Sequence, residues 1–117
     1  MRASVLSIES YDVPDLESWR PRGDDWSLGV TVLAGPYGEP GEESFDITVC
    51  GPGWIANQAR AERIIMGRHT LIMDGFDFAV LTRFITDWVA QCTGESWSDV
   101  AEKVARLGQW EFEDYKE

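Results

Sequence analysis

Residues 26–49, WSLGVTVLAGPYGEPGEESFDITV, decide the fold of this chain. Apolar residues alternate with small or polar residues at both ends of the stretch, which is typical of strands that are buried on one face. Glycine and proline are concentrated between the two alternating runs, in residues 35–41, and this composition must turn the chain. Because the two runs are close in sequence, we predict that they pair as an antiparallel hairpin.

Further strands are predicted on either side of this hairpin. Residues 5–11 form a candidate first strand, which a polar loop separates from the hairpin. Residues 64–73 contain β-branched side chains that favour another strand. Between the hairpin and this last strand, residues 54–60 are predicted to form one or two helical turns after Pro52.

In the second half of the chain the apolar spacing changes from two to three and four. Residues 81–92 place their apolar side chains on one face of an amphipathic helix. Ser96 is a candidate N-cap for a second helix, whose apolar face lies within residues 97–105 and which Gly108 ends. The alternating segment 109–115, QWEFEDY, is predicted to be a short strand or an extended segment. We therefore predict one α+β domain over residues 1–117, in which an antiparallel sheet of about four strands from the N-terminal half packs against two C-terminal helices.

Charge is the most unusual property of the composition. The chain has 21 Asp and Glu against 10 Lys and Arg, for a formal net charge of −11. This excess disfavours nucleic acid and anionic membrane as partners and favours a basic protein, although solubility alone would also explain it. No stretch approaches membrane-spanning length and the first residues do not form a secretory signal, so we expect a cytoplasmic protein.

The sequence offers little that would support catalysis. His69 is the only histidine, and a structural or surface role is favoured for it. Cys50 and Cys92 lack the spacing of metal ligands, and we interpret both as reduced core residues, with a disulfide as the alternative. The glycine-rich turn lacks the features of a phosphate-binding loop. We predict that the protein is not an enzyme and that it has no cofactor and no metal site.

Acidic residues adjoin aromatic or apolar residues where the second strand of the hairpin begins and near the end of the chain. Aromatic anchors beside carboxylates suit recognition of a basic protein surface. The alternative is that Trp110 and Phe112 close the core. The candidate partner-binding residues are Glu42, Glu43, Asp46, Trp110, Glu111, Phe112, Glu113 and Asp114.

Several of these segments resemble a known family. Residues 41–50, GEESFDITVC, followed by Pro52, Trp54 and Ile55, resemble the central motif of the bacterial immunity protein 8 family. Residues 67–69, GRH, with the apolar pair at 71–72, are similar to the family's next block, and Trp97 and residues 110–115, WEFEDY, are similar to its C-terminal block. The resemblance covers residues 41–115, and the first 40 residues match only in general character.

This resemblance implies a function. Such proteins are encoded beside polymorphic toxins, bind the toxin domain without catalysis and protect the producing cell, so it implies a cognate toxin, expected to be basic, as the partner. It supplies no catalytic residues. The residues leave two alternatives open: an acidic mimic of nucleic acid that occupies a basic groove of a nucleic-acid-binding protein, and a small hydrolase that uses carboxylates with His69. The first alternative and immunity coincide if the toxin is a nuclease.

Overall fold

The computed structural model of the chain describes residues 1–112 and has an α+β architecture, as predicted. Its elements, in chain order, are β1 (Ala3–Glu9), β2 (Ser27–Pro36), β3 (Glu43–Cys50), α1 (Pro52–Glu62), β4 (Thr70–Ile72), α2 (Phe78–Ala90), α3 (Trp97–Val104) and β5 (Gln109–Trp110). The sheet comes mainly from the first half of the chain, and α2 and α3 from the second half pack against it.

The predicted hairpin is confirmed and forms the centre of the sheet. Strands β2 and β3 pair antiparallel from Ser27 opposite Cys50 to Ala34 opposite Glu43. Strand β1 pairs antiparallel with the other edge of β2, with a register shift between residues 5 and 7. An extra residue at such a bulge bends the strand and increases its local twist.

The far edge of β3 is shared by two short strands. Strand β5 pairs antiparallel with its first half, where Trp110 lies opposite Phe45. Strand β4 pairs with its second half in a parallel arrangement, where Thr70 lies opposite Thr48. The predicted antiparallel sheet is therefore wrong at β4, because α1 carries the chain back so that β4 starts at the same end as β3.

Two segments near this edge also differ from the prediction. Helix α1 spans 11 residues and is longer than one or two turns. The strand predicted over residues 64–73 is reduced to Thr70–Ile72. Its first part lies outside the sheet, and Ile64 and Met66 there are 83% and 84% exposed.

The core lies between the sheet and the two later helices. Residues of β2 and β3 that face the helices are at most 3% exposed, and α2 buries Leu81, Ile85 and Val89 of its predicted apolar face. Phe84, on the same predicted face, is 49% exposed. Ser96 caps α3 as predicted, accepting a hydrogen bond from the Asp99 amide at 3.2 Å. The core side chains of these four elements are Leu28, Val30, Val32, Ala34, Phe45, Ile47, Val49, Leu81, Ile85, Val89, Val100, Ala101 and Val104.

All six tryptophans are at least half-buried. Trp19, Trp26 and Phe76 pack edge to face with ring centroids 4.9–5.8 Å apart. This cluster holds the long polar loop between β1 and β2 against the segment that precedes α2. The tryptophans therefore serve the core, and the large apolar side chains left at the surface are of other types.

Candidate partner-binding surface

The carboxylate of Glu43 is bound by two tryptophans. Its Oε1 accepts a hydrogen bond from Trp97 Nε1 at 2.9 Å, and its Oε2 accepts one from Trp110 Nε1. All three side chains are half-buried. Trp110 also stacks on Phe45, with ring centroids 6.4 Å apart. Both oxygens of this candidate contact residue thus join β3 to α3 and β5.

Glu111 is also engaged within the chain. Its amide donates to the Ser44 carbonyl at 3.1 Å, and its Oε1 accepts from the Ser44 amide at 2.8 Å. The side chain therefore takes the place that a main-chain carbonyl would occupy if the β3–β5 ladder continued. Glu111 stays exposed while it closes the edge of β3.

Asp46 lies on the sheet face that is turned away from the helices. Glu9, Thr31 and Asp46 stand side by side across β1, β2 and β3, and Gln109 follows on β5. The carboxylates of Glu9 and Asp46 are exposed, and Asp46 Oδ1 accepts a hydrogen bond from the Thr31 hydroxyl at 2.8 Å. We call this side of the sheet the open face.

Two further residues extend the open face beyond the end of β1. Asp12 Oδ2 accepts a hydrogen bond from the Gly29 amide at 2.7 Å, which holds the segment after β1 beside β2. Tyr11, next to it, is 95% exposed. A groove of about 400 Å³ runs between these two residues and the pair Arg68 and His69. An exposed aromatic ring among carboxylates is an arrangement that suits protein recognition.

Two of the other predicted contact residues, Glu42 and Phe112, lie just before β3 and just after β5. Glu42 is exposed just before β3. Phe112 is 43% exposed and packs edge to face on Trp110, with ring centroids 5.7 Å apart. Glu113 and Asp114 lie outside the described residues. Glu9, Tyr11 and Asp12 were not predicted from sequence; the only signal they carry is polarity at the end of a strand or shortly after it.

His69 connects two parts of the fold through its backbone and its ring. Its backbone has φ 54°, and its carbonyl accepts a hydrogen bond from the Thr48 amide at 2.9 Å. Its Nε2 lies 2.7 Å from the carbonyl oxygen of Ala105. Because a carbonyl can only accept, Nε2 is the donor. The ring thus links the start of β4 to the residue that follows α3, in agreement with the structural role predicted for it.

Three of the polar residues that line the groove have hydrogen-bond partners within the fold. Asp12, Asp46 and His69 hydrogen-bond to Gly29, Thr31 and Ala105 as described. Within residues 1–112, no group of three or more His, Cys, Asp or Glu is placed to hold a metal ion.

None of the helices in residues 1–112 is long and apolar enough to cross a membrane.

Cys50 and Cys92 are buried free thiols, so their predicted place in the core is confirmed. Burial raises the pKa of both thiols; for Cys92, the nearby cations Lys103 and Arg106 oppose this effect in part. Only the thiolate is nucleophilic. A raised pKa and a buried sulfur therefore both make these thiols less reactive.

We predict that neither thiol reacts readily in the folded protein. At pH 8 and without denaturant, Ellman's reagent should modify both at least about tenfold more slowly than a free cysteine, because little thiolate forms and access is limited. In urea both should react at the normal rate. Fast reaction of either thiol in the folded protein would contradict the burial.

Comparison of the chain with curated proteins and with solved structures gives no match. The family model of immunity protein 8 matches residues 3–115, which is nearly the whole chain. The match includes almost all of the first 40 residues, where the sequence motifs show only general similarity. The chain therefore belongs to the immunity protein 8 family, whose members are immunity proteins for polymorphic toxins.

Proposed function

We propose that this protein neutralises a cognate bacterial toxin in the cytoplasm by binding it, without catalysis. The match of the immunity protein 8 family over residues 3–115 carries this proposal. The net charge of −11 supports a basic toxin as the partner, because opposite charge speeds encounter. The structural hydrogen bonds made by the groove's polar groups favour binding over hydrolysis.

The open face is the proposed contact surface. Glu9, Asp12 and Asp46 place three exposed carboxylates around the exposed ring of Tyr11. The contact therefore centres on Asp46 and its neighbours, and Glu42 lies at its periphery. Glu43 lies on the opposite, helix-facing side of the sheet, and its engaged oxygens make it a structural residue that is not part of this contact.

Co-expression with the toxin encoded beside this gene tests the function. We expect cells that carry both genes to survive and the two proteins to purify together. If the toxin still kills the cell and no complex is recovered, the proposed function is wrong for this protein.

Charge reversal on the open face tests the contact. In the double variant Glu9→Lys with Asp46→Lys, we expect association with the toxin to slow by roughly tenfold at low salt, because long-range attraction is lost. The slowing should diminish as salt rises, since the Debye length shortens. Stopped-flow or surface-plasmon measurements at several salt concentrations give these rates.

The matched control is Asp87→Lys, a reversal of an exposed carboxylate on the polar face of α2. A single reversal there should slow association less than Asp46→Lys alone. Equal slowing by both single reversals would show that net charge matters and that the open face has no special role. Tyr11→Ala should instead speed dissociation by roughly tenfold, as expected for a central aromatic contact.

A further inference from the structure

A second surface of the molecule is apolar and lies away from the open face. A groove of about 490 Å³ runs between β4 and the first turns of α2. Ile72, Val80 and Phe84 line it and are 56%, 57% and 49% exposed. Asp74 and Asp77 also line the groove, so its apolar floor has an acidic border.

The segment at the end of α1 combines exposed apolar and basic side chains, which complement the apolar floor and acidic border of this groove. Ile64 and Met66 are the most exposed large aliphatic side chains among residues 1–112. Arg60 and Arg63, which precede them, are exposed as well. The chain leaves α1 at Arg63 with φ 70°, in the left-handed region, so the helix ends just before the two exposed aliphatic side chains. We call residues 60–66, which include the last three residues of α1, the apolar segment.

The charge of the apolar segment bears on which partner would fit it. It carries two arginines and one glutamate in a chain whose net charge is −11. A basic toxin would be repelled by these arginines, whereas a second copy of this chain is strongly acidic and presents aspartates beside an apolar groove. Both halves of a complementary contact are therefore present on one molecule.

We propose that two copies of the chain associate by placing the apolar segment of each in the β4–α2 groove of the other. A two-fold axis makes both contacts equivalent and closes the assembly, whereas a head-to-tail contact would continue into a polymer. It also doubles the buried area, and specific interfaces usually need about 1,600 Å² in total. At physiological salt the Debye length is about 8 Å, so repulsion between the net charges is confined to short range.

Sedimentation velocity of the purified full chain, without toxin, tests this proposal at physiological salt. We expect a dimer that is populated more as concentration rises from micromolar to near millimolar. Met66→Asp, which puts a carboxylate against the acidic border, and Val80→Lys, which puts a cation in the groove, should each weaken the dimer by roughly tenfold or more. Both sites are exposed, so circular dichroism should show folded variants.

Mixing the two variants provides the decisive measurement. In the heterodimer one contact keeps both native partners, and the other pairs the introduced carboxylate with the introduced ammonium group. The mixture should therefore dimerise at least roughly tenfold more tightly than either variant alone. Tyr11→Ala, on the open face, should dimerise like the natural chain.

Several results would overturn the proposal. A natural chain that stays monomeric at all concentrations would do so, as would dimerisation that neither variant changes or that mixing does not restore. Toxin protection is measured separately, and both variants should retain it. If Met66→Asp loses protection while the natural chain is monomeric, the apolar segment contacts the toxin and not a second copy.

Discussion

Replacing Glu43 with alanine is expected to lower the free energy of unfolding by about 2–4 kcal/mol, because it leaves two half-buried indole N–H groups without their acceptor. The two partners, Trp97 and Trp110, come from different elements, so the loss loosens both α3 and β5 from β3. Urea unfolding followed by tryptophan fluorescence measures the change. Glu43→Gln should cost less, since it keeps one acceptor oxygen, but its amide N–H₂ group then faces the second donor.

The adjacent residue provides the control. Glu42 has the same side chain and lies next to Glu43, but it is exposed and makes no comparable contact with the described part of the chain. Glu42→Ala should change stability by less than about 0.5 kcal/mol. If the two alanine variants are equally stable, Glu43 does not hold the tryptophans and is available to a partner, as its residue type alone suggests.

Gly51→Ala is expected to destabilise the protein by about 3 kcal/mol, through a steric conflict that involves the backbone. A Cβ atom at this position would lie 2.3 Å from the carbonyl oxygen of Asp24 and 2.7 Å from Trp26 Nε1. The loop cannot move away freely. Its Asp24 carbonyl accepts from the Trp54 amide, and the Gly51 amide donates to the Trp26 carbonyl at 3.0 Å.

Gly67→Ala makes the same chemical change where there is space. Apart from its two chain neighbours, no atom of residues 1–112 lies within 4 Å of a Cβ at Gly67, and its backbone is not in the left-handed region. This variant should be neutral or slightly stabilising, because alanine restricts the unfolded chain. Thermal unfolding of both variants measures the difference. Equal melting temperatures would show that the contact between Gly51 and the loop is not tight.

The parts of the fold that can be predicted from sequence are those that bury a whole face. In the sequences of β2 and β3 this burial appears as apolar residues at every second position. In α2 it appears as apolar residues three and four positions apart. Helix α1 buries none of its residues, so its sequence has no such pattern and its length is missed. Ile64 is a strand residue by type, yet it is exposed.

The candidate surface is less predictable, because contacts between distant residues define it. The indole partners of Glu43 lie 54 and 67 residues away in sequence, and no local pattern reports them. Tyr11 cannot be predicted for a different reason. It is almost fully exposed, so it is not part of any apolar pattern in the sequence. Asp46 is the predicted acid whose place on the open face follows directly from the alternation of β3.

The sharing of one edge of β3 by β4 and β5 has a consequence for translation. Strand β3 leaves the ribosome well before β5 has been made. Until then, Phe45 and the adjoining edge of β3 lack their pairing with Trp110 and β5. Contacts between such distant segments form late in folding. We expect nascent chains that stop before residue 109 to expose this edge, aggregate and give no protection against toxin. Immunity would then begin only when synthesis has passed Trp110.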